Sequence, residues 1–428
     1  MQTRLLALVL LGWGLTSGTL QAQLIPQPAA MRYGLNRSWF TQVTLDRESG
    51  RFAQWNLDGD LLLVQTSQGI LQALDSETGG VRWSHRIGTP GAPSVPPAAN
   101  ARYVAAGMGT MLYLFDRVTG ATVWEQKLPT PVMTGLVLSK DKVFVSLTNS
   151  WLASYMLEDP AKGESHVATK GFITFPPVMT REMVVWSNDS SLVQGATFSS
   201  SMPVLQFETE AAAAAQVGYY PNFLFVPLQN NQLYCLHAAP GRLLGQVYWR
   251  FHPGDVVEHQ PIGIDNRLFV ATRHKGMYCL EIDTNARRAE EARKAGVVPD
   301  PAAEVPTRAG GVVLWQARRA AKFLAMSKTK VYAQDYRGNL LILDLASGSE
   351  QAVLPTPDMR YAISNSRTDR IFLASPTGLV QCLHEHELAA PFVHLHADEK
   401  PEEVREIPRG DAAAPPADNA AAPPADNQ

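Results

Sequence analysis

The sequence predicts an all-β fold, an eight-bladed β-propeller of four-stranded antiparallel blades closed by an N-terminal strand. Three observations carry this expectation. The 428-residue chain repeats itself at a step close to 40 residues, the spacing of four-stranded propeller blades. Segments such as Leu340-Leu-Ile-Leu343 are apolar at every position, which means that both sheet faces are covered. Residues 71–83 (LQALDSETGGVRW) and 112–124 (LYLFDRVTGATVW) share one layout of apolar strand, Asp, two free positions, Thr-Gly and a strand holding Trp. Composition fits: 31 Gly and 30 Pro supply turns, and 18% charged against 45% hydrophobic residues exclude a disordered or collagen-like chain. A net charge of −3 offers no basic surface for nucleic acid.

Taken in chain order, the first element is a secretory signal over residues 1–22. Arg4 gives a basic start, and Leu5 to Gly18 is an apolar stretch shorter than the roughly 20 residues that span a bilayer. Cleavage after Ala22 is expected, with Leu20 an imperfect residue at the −3 position. The alternative is an uncleaved anchor. No Cys sits at the cut site to carry a lipid, and no later stretch has spanning length without charges. The mature chain is then periplasmic or secreted, without a transmembrane segment.

The propeller is expected over residues 37–386. Equivalent third-strand positions fall at Leu71, Leu112, Leu152, Leu192, Leu233, Met277, Leu340 and Val380. A turn former precedes each: Gly69, Gly109, Asn149, Ser190, Asn231, Gly276, Gly338 and Gly378, residue types that tolerate the positive φ of tight hairpins. The eighth unit supplies only three strands, Tyr361–Ser364, Arg370–Ala374 and Leu379–His384. The unassigned Trp39–Leu45 strand is expected to complete it, which removes an open edge and gives a self-contained, monomeric ring.

Two segments interrupt or follow this plan. The one long step, from Met277 to Leu340, holds an insertion over 285–310 between the third and fourth strands of blade six. Its Ala286–Ala295 portion has helical composition, and it is either a partner-docking arm or a solvated loop. Beyond about Asp398 the chain is charged and then repeats AAAPPADN twice. Residues 398–428 are therefore expected to be a disordered, Ala/Pro-rich tail, either a tether or a solubilising extension. The Glu210–Ala215 run is read either as a strand passing the crowded axis or as a helical turn.

The Asp75, Thr78, Gly79, Trp83 and Asp116, Thr119, Gly120, Trp124 sets resemble the repeat of quinoprotein-like (pyrroloquinoline-quinone-type) β-propellers. Degenerate copies lie at Asp344 with Ser347 and Gly348, and at Glu281 to Thr284. The resemblance implies an eight-bladed ring. It is closer to the non-catalytic members, such as the lipoprotein scaffold of barrel assembly, than to the dehydrogenases. The chain lacks their adjacent cysteine pair, and no site residue of theirs can be matched position by position. The motif itself is structural: the Asp accepts backbone N–H bonds in the turn, and Trp fills the gap between blades.

No catalytic or cofactor-binding residue is assigned, and no cofactor is expected. Four histidines near the end, His384, His386, His394 and His396, form a weak metal candidate, with solvated side chains as the alternative. Cys235, Cys279 and Cys382 each lie two residues after a third-strand anchor and are read as buried free thiols. Trp55, Trp151 and Trp186 have no assigned place. The function expected is an exported, non-catalytic scaffold for unidentified protein partners in the bacterial envelope. A quinone-binding redox enzyme or sensor and a carbohydrate- or polymer-binding propeller are the alternatives.

Overall fold

The computed structural model describes residues 24–45, 50–162, 164–285 and 310–394. Its strands form eight four-stranded antiparallel sheets, arranged as the blades of a ring. Blades one to seven are each continuous in sequence, covering residues 52–86, 98–127, 132–168, 178–208, 218–251, 262–317 and 320–354 in turn. Blade eight combines Tyr361–Ala362, Ile371–Ala374 and Leu379–Glu385 with the N-terminal strand Leu35–Gln42. Closure therefore uses the N-terminal strand, which begins and ends earlier than the expected Trp39–Leu45. It pairs from Leu35 opposite Glu385 to Gln42 opposite Leu379, with a bulge between Arg37 and Trp39.

Burial explains why the second and third strands are apolar at consecutive positions. Successive side chains of a strand point to opposite faces. In Leu61–Thr66, Leu61 and Leu63 pack toward blade two, while Leu62 and Val64 pack toward blade eight. Among the described residues the buried apolar side chains fall into eight clusters, one for each pair of neighbouring blades. The cluster joining blades eight and one holds Trp39, Phe52, Leu62 and Cys382, so the ring is closed by packing as well as by strand pairing.

Six of the eight expected turn formers adopt positive φ. In blades three and four the left-handed residue is instead the next one, Ser150 (φ 61°) and Ser191 (φ 56°). A single turn can be built with its left-handed position at either of two neighbouring residues, so composition places it only to within one position. A short helix, Gln27–Arg32, precedes the closing strand and has no sequence signal, since six residues are too few for a periodicity. Its Ala30 is buried with Ile25 and Leu35 against blades seven and eight, and Arg37 donates to Ile25 O at 2.6 Å.

The Ala211–Ala215 stretch forms no helix. Ala213 bridges Leu228 on the way into blade five. The third strand of blade six ends at Glu281 and the fourth begins at Val312. Most of the 285–310 insertion lies outside the described residues, as do the 1–22 signal and the 398–428 tail. Among the described residues no helix is long and apolar enough to cross a membrane.

Candidate functional site

The repeat residues assemble into a mechanical device. Asp75 Oδ1 accepts from the backbone N–H of Glu77 (3.0 Å) and Thr78 (2.8 Å) and from the Thr78 hydroxyl (3.0 Å). Asp116 does the same with Val118, Thr119 N–H and Thr119 Oγ1, and Asp344 with Ala346, Ser347 N–H and Ser347 Oγ. Thr119's backbone N–H is the main reason that the Asp116 carboxyl is held below the usual aspartate value. Each turn then receives the indole of the preceding blade. Trp39 Nε1 donates to Ser76 O, Trp83 to Arg117 O, Trp124 to Leu157 O, Trp249 to Ile282 O and Trp315 to Leu345 O, all at 2.9–3.0 Å.

Glycine is needed in these turns for two reasons. Gly120 has φ +72°, and a Cβ built on it would lie 2.5 Å from the Trp83 ring. Trp249 and Trp315, not singled out from the sequence, occupy the same column: like Trp39, Trp83 and Trp124, they pair across the ladder with the residue two after the anchor. That spacing was the available signal, blurred in blade five by a longer turn and in blade six by the insertion. The remaining indoles have separate fates. Trp55 lines the central channel, Trp151 stacks on His166 at 4.0 Å, and Trp186 is buried between blades three and four.

Of the four histidines, His384 and His394 are buried and His386 is exposed. After blade eight the chain packs back against the ring as far as His394. Val393 bridges Thr368, Phe392 N–H donates to Asp369 Oδ1 (2.8 Å), and His394 N–H donates to Arg367 O (2.8 Å). The backbone polar groups of this segment are thus satisfied by the ring. His394 is 2% exposed, with Nε2 2.9 Å from Met326 O and Nδ1 3.6 Å from Asp265. His384 is also buried, Nδ1 against Glu385 O, while His386 contacts Asn36. The three face different partners, and among the described residues no group of metal-ligand geometry occurs. His396 lies outside the described residues.

The cysteines are buried and unpaired. Burial raises the Cys235 thiol well above its ordinary value and the Cys279 thiol to about 12, so neither is a thiolate nucleophile near neutral pH.

The innermost strands and the loops leading into them enclose a central channel of about 460 Å³. Its wall is divided. Blades two, three and four contribute Pro96, Pro97, Leu136, Val137, Pro176 and Pro177; blades five to eight contribute Gln216, His259, Gln260, Lys322 and Ser364. Asp58, from blade one, is paired with Arg117 at 3.0 Å. Lys322 Nζ donates to Ala362 O at 2.5 Å, and burial lowers its pKa. Burial, with the Lys322 charge second, pushes the His259 imidazolium down to about 4. No motif marks these residues in the sequence, because they are spread over several blades.

The geometry defines an eight-bladed propeller of the quinoprotein-like repeat type. The family described as outer membrane protein assembly factor BamB matches residues 67–200 and 181–377, more than half of the chain, and the chain belongs to that family. Among solved structures it is similar to BamB from Moraxella catarrhalis, with a TM-score of 0.59 and 14% identity over 82% of this chain and 97% of that one. The computationally designed Ika8 protein matches with a TM-score of 0.57 and 13% identity over 80% and 100%. The C-terminal WD40 domain of Sif2 matches with a TM-score of 0.58 and 10% identity over 82% and 98%. At these identities the likeness is one of fold. No curated protein matches the sequence.

Proposed function

We propose that the chain is an exported, non-catalytic scaffold that binds protein partners in the cell envelope through one face of the ring. The observation that carries this reading is membership of a family described as an outer-membrane assembly factor. The repeat residues support it: their acids, hydroxyls and indoles are engaged in turns and between blades, leaving the loops of two broad faces as the variable surface. A ring of sheets packed against one another holds those loops in fixed relative positions, which lowers the ordering cost of binding.

The test is cell fractionation followed by affinity capture of the full chain from envelope extracts, with crosslinking to map contacts. A specific, stoichiometric envelope protein crosslinked to loops of one face is the expected result. Recovery of the chain from the cytoplasm, or capture without any specific protein, would count against the reading.

A further inference from the structure

We propose that the central channel binds a small carboxylate with a compact apolar body, its anionic head on Lys322 and its body against the wall formed by blades two to four. This site is independent of the scaffold reading, which concerns the outer faces.

The argument begins with charge. Lys322 lies on the innermost strand Ala320–Met326, and its ammonium has one protein acceptor, the Ala362 carbonyl. Among the described residues no carboxylate pairs with it. The channel's own acid, Asp58, is already held by Arg117. A desolvated cation without a counter-charge is costly, and an anion that reaches it relieves that cost. The surroundings favour such an anion. Gln216 and His259 line the same wall and make no hydrogen bond among the described residues. His259 is neutral at pH 7, since its pKa lies near 4, so one ring N–H is free to donate without adding charge. Gln216 adds amide donors.

The ligand class follows from the wall. One ammonium and neutral donors match a single negative charge. Among the described residues no arginine lines the cavity to supply the fork that favours phosphate. In an eight-membered ring, blade seven faces blade three across the axis. The wall opposite Lys322 is therefore Leu136 and Val137, flanked by Pro97 and Pro176, a surface that gains from apolar contact. A channel of about 460 Å³ lies within the usual range for small-molecule sites.

Titration calorimetry on the full chain tests this with cyclohexanecarboxylate and its neutral amide, cyclohexanecarboxamide. The acid is expected to bind saturably at one site, at least about tenfold more tightly than the amide, the worth of one charge-assisted contact. Lys322→Gln should remove that advantage for the acid and leave the amide unchanged; Lys322→Arg should keep most of it. Equal affinity of the two compounds for the unaltered chain, no binding of the acid at millimolar concentration, or full binding by Lys322→Gln would overturn the proposal. If Lys322→Gln does not fold by circular dichroism, the comparison of acid with amide on the unaltered chain and the Lys322→Arg variant decide the matter.

Discussion

At the residue scale, the glycine of the repeat turn separates two costs that usually come together. Gly91 has φ +79° with open space where a Cβ would go, whereas Gly120 has φ +72° with Trp83 in that space. Gly91→Ala should cost only the left-handed backbone, about 1 kcal/mol. Gly120→Ala must also displace the indole, and about 2–4 kcal/mol is expected. Urea midpoints with indole fluorescence check both; equal losses would show that the indole yields freely. The acid of the same turn gives a pH test. The Asp116 carboxyl titrates below its unfolded value, chiefly because the Thr119 N–H bonds its charged form. Its contribution is therefore complete above about pH 4 and is lost as pH falls through the unfolded value toward the folded one. Asp116→Asn should flatten the acid limb of stability below about pH 4, read from urea curves at stepped pH. The Asp and Thr-Gly were legible in the sequence because a turn fixes them at constant spacing. Lys322 and His259 were not, because 63 residues and an insertion separate two side chains that line one channel from neighbouring blades.

At the scale of elements, the closing strand was legible and the segment after blade eight was not. The strand announced itself by position, since a three-stranded last blade needs a partner. The segment 386–394 carries no repeat motif, and one of its anchors is a buried side chain far from any motif. Arg370 is 2% exposed. It donates to Leu388 O (3.0 Å) and Ala389 O (2.7 Å), and it pairs with Asp369 (3.3 Å) and with Glu77 of blade one (3.1 Å). One guanidinium thus ties the returning chain, blade eight and the first repeat turn together, a geometry suited to Arg and not to Lys. Arg370→Met keeps the bulk but leaves Asp369 buried without its cation. A loss of about 3–5 kcal/mol is expected, with faster amide exchange at Phe392 and His394. A melting temperature and exchange pattern like those of the unaltered chain would mean that backbone pairing alone holds the segment.

For the whole molecule, the ring is only as firm as its seams, and the seams are unequal. Five carry an indole bond, from blade eight to one, one to two, two to three, five to six and six to seven. Where Trp is absent from the column, blades three, four and seven carry Ser165, Gln206 and Ala352. The seam between seven and eight is reinforced by the Lys330–Glu385 pair and a large shared cluster. Among the described residues blade four has no indole bond on either side, and of its two seams the one with blade five shares a cluster of eleven buried apolar residues. Its seam with blade three buries seven apolar residues, against sixteen between blades two and three. Two missing indole bonds at about 1 kcal/mol each correspond to roughly thirtyfold easier opening. Native-state amide exchange should therefore place Met183–Ser187 and Leu192–Thr197 among the first strands to open, well ahead of Leu61–Thr66, whose blade is bonded on both sides. Uniform protection around the ring would show that apolar burial, and not the indole links, sets the strength of every seam.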